Sequence, residues 1–226
     1  ESIMNNAYAN FTSAIGNIKK FGSIYDKISI DYTLLKNELD DMLRAQIVYA
    51  VSAMDCYIHE IARIGIIKSF LGDRPQTSKW KSSAVSLENV QSIMAVEQSG
   101  LAAPQKEAEM VNALDSIFKP MLKTLSFQQS DKIKDALSYI WLEEHKMQAI
   151  ANSINYNLVG NNLNEKVKYL EQKLSLIVAR RNQIADEADW DSMNACKRQV
   201  QKIEVDDIIL FIEKFVEAIH NNVIIS

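Results

Sequence analysis

The sequence predicts an all-α fold: a helical bundle built around one long central helix, with a further group of helices inserted between the core ones. Three observations point to the bundle. Six glycines and three prolines in 226 residues are few, and because strands need turns that lean on both residue types, long helices joined by few loops follow. The segment 32–71 carries apolar residues spaced by three and four over many turns. Hydrophobic residues make up 47% and charged residues 24%, the balance of a chain that buries a sizeable core. With no shift of composition along its length, one domain over 1–226 is expected.

Taken in order, the first helix is expected over 3–21, where Tyr8, Phe11, Ile15 and Ile18 share a face and Gly22 offers a stop. Over 32–71, Leu39, Leu43, Ile47, Ala50, Met54, Tyr57, Ile61 and Ile64 form one stripe, while Ala45, Val48 and Val51 make the opposite face apolar as well. A helix apolar nearly all round lies at the centre of a bundle. Gly72, Asp73, Arg74 and Pro75 break it, and the polar stretch to Ser86 reads as a loop. Helices are expected next over 86–96, 104–124 and 130–141, with Ser86 and the Ser130 and Asp131 start offering oxygens to orphan amides. After a break near Gly160, Asn164 is expected to cap a helix carrying Val167, Leu170, Leu174 and Ile177. A last helix over 205–224 repeats the rule with Ile208, Ile212, Phe215, Ile219 and Val223. The segment 72–160 then reads as a helical insertion between the core helices.

A net charge of −4 excludes a surface coated in basic residues for non-specific nucleic-acid binding, so any RNA site is local. Cys56 lies in an apolar helical stretch and reads as a small buried hydrophobe, and no disulfide with Cys196 is expected. Residues 1–10 hold neither a basic leader nor an apolar core, and no apolar run approaches the about 20 residues that span a bilayer. No membrane contact and a cytoplasmic protein are the expectation. No histidine or cysteine pair has metal-ligand spacing, and the acidic run Asp186, Glu187, Asp189 and Asp191 lacks the glycine turn and distal glutamate of a calcium loop, so neither metal nor cofactor is expected.

One residue breaks the pattern. The stripe through Leu170, Leu174 and Ile177 predicts an apolar residue at 181, and the chain supplies Arg181. A guanidinium on a packing face must be paired or must meet a ligand, because burying it alone costs several kcal/mol. The stretch around it, Val178, Ala179, Arg180, Arg181, Asn182, Gln183, Ile184, Ala185, Asp186, Glu187, Ala188 and Asp189, resembles the signature of the HEPN superfamily, an arginine often followed by asparagine and then a histidine five positions on. The branch it is most similar to is the RiboL-PSP-HEPN type. The stretches 126–133 and 144–151, and the helix around Met54, Asp55, Cys56, Tyr57, Ile58, His59 and Glu60, support the resemblance, which spans roughly residues 44–191. It implies a helical bundle that forms a homodimer with the two motif helices facing one another across a composite RNA cleft. It also implies metal-independent endoribonuclease chemistry, often in toxin-antitoxin or antiphage defence systems with an antitoxin or other defence partner, or else a non-enzymatic module that dimerises and binds a partner or nucleotide.

Cleavage without a metal needs a base for the 2′-hydroxyl proton, an acid for the departing 5′-oxygen, and positive charge for the phosphorane. Arg181 suits the last role, since it is permanently charged and holds two phosphate oxygens at once; the plainer reading is a buried ion pair or a dimer contact. Asn182 and Asp186 stand one turn apart, so the amide is placed to orient position 186. There this chain departs from the family, carrying Asp186 where the family has histidine. An aspartate, with a pKa of about 3.9, is a poor acid at neutral pH and repels phosphate. Weak or absent catalysis, with Arg181 quenched by Asp186, is the expectation.

His59, between Asp55 and Arg63 at one turn either way, is a replacement for that chemistry if the long helix lines the cleft, or else a polar rung. Lys197, Arg198 and Lys202 are candidate phosphate contacts or a solvated connector. Trp190 either stacks a base or seals a helix end. His145 and His220 read as ordinary loop or surface residues.

Overall fold

The computed structural model describes residues 2–31 and 36–225, and among them helices account for nearly all regular structure. In chain order these are α1 Ser2–Asp31, α2 Lys36–Leu71, α3 Ser78–Lys81, α4 Leu87–Glu97, α5 Ala103–Lys123, α6 Ser130–Leu137, α7 Lys146–Ser153, α8 Leu163–Glu187 and α9 Lys202–Ile225. Between α8 and α9 a hairpin of two short antiparallel strands, β1 Trp190–Asp191 and β2 Cys196–Lys197, sets Trp190 opposite Lys197. No helix is long and apolar enough to cross a membrane.

The long helix is central because its sequence is apolar on both sides. All eight residues of the expected stripe, from Leu39 to Ile64, are buried, and Val51, Ile58, Ala62 and Ile66 bury the flank. Accordingly α2 packs against α1, α9, α8, α5 and α6. Each fully buried large aliphatic side chain there contributes roughly 1.5–3 kcal/mol. The segment 72–160 holds α3 to α7, and through α5 and α6 it docks on α2, so it helps close the core rather than hanging outside it.

Several local expectations are corrected. Helix α1 runs through Gly22 instead of stopping, because that glycine serves close packing: a Cβ there would lie 3.1 Å from Gln46 Nε2 and 3.3 Å from Lys202 Cε. Buried Gln46 meanwhile donates to the Ile18 carbonyl at 2.9 Å, tying α2 to α1. Of the expected 32–71 helix, residues 32–35 lie outside those described. The loop after Gly72, whose φ of +87° turns the chain, contains the short α3, capped by Thr77. Ser86 caps α4 as expected, accepting from Asn89 N at 3.2 Å. Ser130 does not cap α6, which ends at Leu137 rather than near 141; its hydroxyl donates to Glu171 Oε1 on α8 at 2.8 Å. Asn162, not Asn164, caps α8, because its Oδ1 accepts from Glu165 N at 3.0 Å while Glu165 returns a bond to Asn161 N.

Two further residues change sides. His220 belongs to the core: it is 6% exposed, stacks on Tyr8 at 4.1 Å and lies 2.9 Å from the Tyr57 hydroxyl, and burial holds its pKa below the ordinary histidine value. One polar edge on the buried face of α9 was invisible to a pattern that counts only apolar residues. Cys56 is exposed rather than buried, since it follows Ser52 by one turn on the flank of α2 that opens to a cleft; Cys196 is exposed too, and both thiols are free.

Gly65 on α2 allows the closest approach in the fold's centre. A Cβ there would lie 2.1 Å from Cγ2 and 2.7 Å from Cβ of buried Ile140. Gly65→Ala is therefore expected to lower stability by about 1–3 kcal/mol in chemical denaturation, although alanine is the better helix former by about 1 kcal/mol. A stabilised variant would mean that Ile140 yields freely.

Candidate functional site

Helix α8 buries Leu170, Leu174, Ile177 and Val178 against the bundle, and the same face then brings Arg181 to the edge of the core. The guanidinium is half-buried. Its Nη1 donates to Asn182 Oδ1 at 3.0 Å, and its Nε is shut away from water with no hydrogen-bond partner. Two hollows open on either side of it, both bounded by Leu125 and Gln128 of the loop 124–129.

The first hollow, of about 420 Å³, lies between α2, α5 and α8 and places His59 and Arg181 in one cleft. His59 Nε2 is 3.7 Å from Asp55 Oδ2, and its ring lies 4.5 Å from that of Phe127. Asp55 also accepts from Phe127 N at 2.6 Å, so the carboxylate that faces the imidazole holds the cleft's rim. Arg63 is neutralised by Glu60, at 2.6 Å, and by Asp115; these carboxylates hold its pKa above even the ordinary arginine value. Lys119 and Lys123, one turn apart on α5, are exposed and have no acidic partner among the described residues. With Arg181 they give the cleft three cations outside any ion pair, set against the one carboxylate there, Asp55, that no lysine or arginine holds. Sequence reasoning missed both lysines, because Asp115 stands one turn before Lys119 as a ready partner, and only the fold gives that carboxylate to Arg63 instead.

Asp186 is exposed and lines neither hollow. Five helical positions carry it about 140° round the axis from Arg181, and the expected quenching pair does not form; Arg181 binds Asn182 instead. Asn182 accordingly turns its oxygen to Arg181 rather than to position 186, and faces the second hollow, of about 510 Å³.

The deeply buried charge lies elsewhere. Ala188 and Asp189, with φ of 51° and 59°, reverse the chain at the end of α8, and the fully buried Asp189 carboxylate folds back between Arg180 and Arg44. Arg44 Nε donates to it at 2.5 Å and Arg180 Nη2 at 2.9 Å, while Arg44 Nη2 reaches the Arg198 carbonyl at 2.7 Å. Burial pushes the carboxyl upward, and the two guanidinium groups outweigh that and leave its pKa below the ordinary aspartate value. It is thus Arg180, one residue before the position flagged by the stripe, that enters a buried ion cluster.

The connector residues form their own group. Trp190, half exposed, shares a separate hollow of about 740 Å³ with Arg44, Lys197 and Arg198. Their charges are met internally: Lys197 by Asp41 at 2.8 Å, Arg198 by Glu187 at 2.9 Å, and Lys202, outside that hollow, by Asp206 at 2.6 Å. In the acidic run, Asp191 holds the hairpin turn through Met193 N and Asn194 Nδ2. Among the described residues no group of three or more His, Cys, Asp or Glu is arranged to hold a metal ion. His145, exposed, precedes α7. Comparison of the chain with protein-family models, with curated proteins and with solved structures finds no match in any of the three.

Proposed function

We propose that this chain is a HEPN-like domain that binds RNA at the Arg181 cleft and cleaves it weakly or not at all. The observation that carries the reading is the state of Arg181: a guanidinium drawn into the fold with its Nε unpartnered, beside His59 and two unneutralised lysines. A buried donor left without a partner costs about 1–3 kcal/mol, and a phosphate oxygen is the acceptor that such a donor, in a cleft whose lining holds more cations than carboxylates, is suited to meet. The resemblance of the Arg181, Asn182 and Asp186 stretch to the HEPN motif points to the same ligand.

Position 186 stands outside this cleft. A proton carrier at 186 reaches the RNA only in a composite cleft of two copies, which is the arrangement the resemblance implies, and aspartate there is a poor acid at neutral pH. His59 is the imidazole that the cleft itself holds, with Asp55 placed to orient it. The test is an assay of single-stranded RNA binding and cleavage by the unaltered protein and by Asp186→His. Binding by both, with cleavage faint in the first and raised at least about tenfold in the second, is expected, the low end of what a positioned acid-base group contributes being about a hundredfold. Binding with no gain on Asp186→His would favour the non-enzymatic module. Strong cleavage by the unaltered protein would overturn the assignment of a weakened site, and absence of RNA binding would overturn the reading as a whole.

A further inference from the structure

The second hollow beside Arg181 has a different chemistry from the first. Where the first is ringed by charge over an apolar floor of Leu122 and Leu125, the polar wall of the second is mostly amides and hydroxyls, among them Gln128, Gln129, Asn182 and Ser126, with Asp135 its one carboxylate. Asn182 spends its oxygen on Arg181, which leaves its amide nitrogen to donate into the space. Lys132 stands at the edge, exposed and without an acidic partner, since the nearby Asp135 is taken by Lys79 at 2.6 Å. The loop that divides the hollows is held in place, because Phe127 is 1% exposed and its amide is bound by Asp55.

We infer that this second hollow is a base-reading seat, taking an unpaired nucleobase of a single-stranded RNA whose phosphate sits on Arg181. The inference rests on the reading of the Arg181 cleft as an RNA site and deepens it by naming the form of RNA. Side-chain amides are the groups that pair with base edges through donor and acceptor together, and proteins that read RNA sequence do so on splayed, unstacked bases rather than in the narrow groove of a duplex. About 510 Å³ falls within the range of small-molecule pockets. Because Arg181 lines both hollows, a nucleotide whose phosphate meets the guanidinium has its base within one residue's reach of the amides. Lys132 then meets the neighbouring phosphate, a contact that adds affinity without adding sequence information.

The experiment is fluorescence anisotropy with labelled eight-nucleotide homopolymers of U, A and C and with a duplex of the same length. The proteins compared are the unaltered chain, Gln128→Ala/Gln129→Ala, Lys132→Ala and Arg181→Met, each checked for folding by thermal melt. The unaltered protein is expected to prefer one homopolymer over another by about tenfold, as one good amide-to-base pairing gives, and to bind the duplex more weakly than that strand. The double glutamine variant should flatten the preference to within about threefold, while Lys132→Ala should weaken all strands alike and leave the preference intact. Equal binding of all homopolymers, a preference untouched by the glutamine variant, or tighter binding of the duplex would each overturn the base-reading seat. In those cases single-strand binding that is still lost in Arg181→Met leaves the underlying reading standing, whereas no RNA binding by the unaltered protein ends both.

Discussion

Asp189→Asn is expected to destabilise the protein by about 3–5 kcal/mol, the usual consequence of removing one partner from a buried ion cluster. The side chain is 0% exposed, and its two partners, Arg180 and Arg44, are 20% and 8% exposed, so little water is available to take over from the carboxylate. Asparagine is the informative replacement. It keeps the shape of aspartate and tolerates the left-handed φ of 59° at this position, so the loss reports on the charge and not on backbone strain. Two guanidinium groups would then face each other with only the exposed Asp41, which is shared with Lys197, left beside Arg44 at 3.0 Å. The dependence on pH has a definite sign. Because the folded pKa is depressed, the carboxylate's stabilisation is complete above the unfolded value of about 3.9 and disappears as the pH falls through the lower folded value. Urea midpoints of parent and variant should therefore differ widely at neutral pH and draw together in strong acid. Equal midpoints at neutral pH would show that the cluster contributes nothing to the fold.

Arg181→Met is expected to abolish or weaken RNA binding by at least about tenfold, which is about 1.4 kcal/mol, while leaving stability unchanged or raising it by about 1 kcal/mol. Methionine keeps the flexible apolar stem that packs beside Val178 and removes a polar nitrogen, Arg181 Nε, that is buried with no partner among the described residues. A residue retained at a cost to the fold is one whose return comes from a ligand. The neighbouring Arg180→Met is the control, and it should lose stability, because it strips Asp189 of a guanidinium. Thermal melts and anisotropy on the two variants separate the roles: a destabilised Arg181→Met with normal RNA binding would make Arg181 a structural side chain.

The adjacent arginines also mark how far the sequence could be read. Apolar periodicity placed α2, α5, α8 and α9 correctly, because a side chain spaced by three and four along a helix has only one way to leave water. It identified Arg181 as a charge on a packing face for the same reason. It had no means of finding Asp189, which sits in a run with Asp186, Glu187 and Asp191 and differs from them only because two left-handed residues turn it inward. Capping followed similar limits. Ser86 caps because nothing else competes for its hydroxyl, whereas the hydroxyl of Ser130 goes to Glu171, a partner 41 positions away. Gly22 reads as a stop in one dimension and as a contact with Gln46 in three. Of the site, the sequence brought out Arg181, Asn182 and His59, and the fold adds Lys119, Lys123, Lys132 and the glutamines of the rim. Those additions come from α5, α6 and the loop between them, and the meeting of that segment with α8 depends on how both dock on α2.

Arg74 has one more consequence. Its guanidinium donates to the carbonyls of Val223, at 2.8 Å, and Ile140, at 3.3 Å, and lies 3.5 Å from the sulfur of Met4. Met4 of α1, Ile140 just after α6 and Val223 of α9 therefore meet at a single side chain. One guanidinium, placed just past the turn that ends the long helix, thus works as a rivet through three stretches of chain that are remote in sequence.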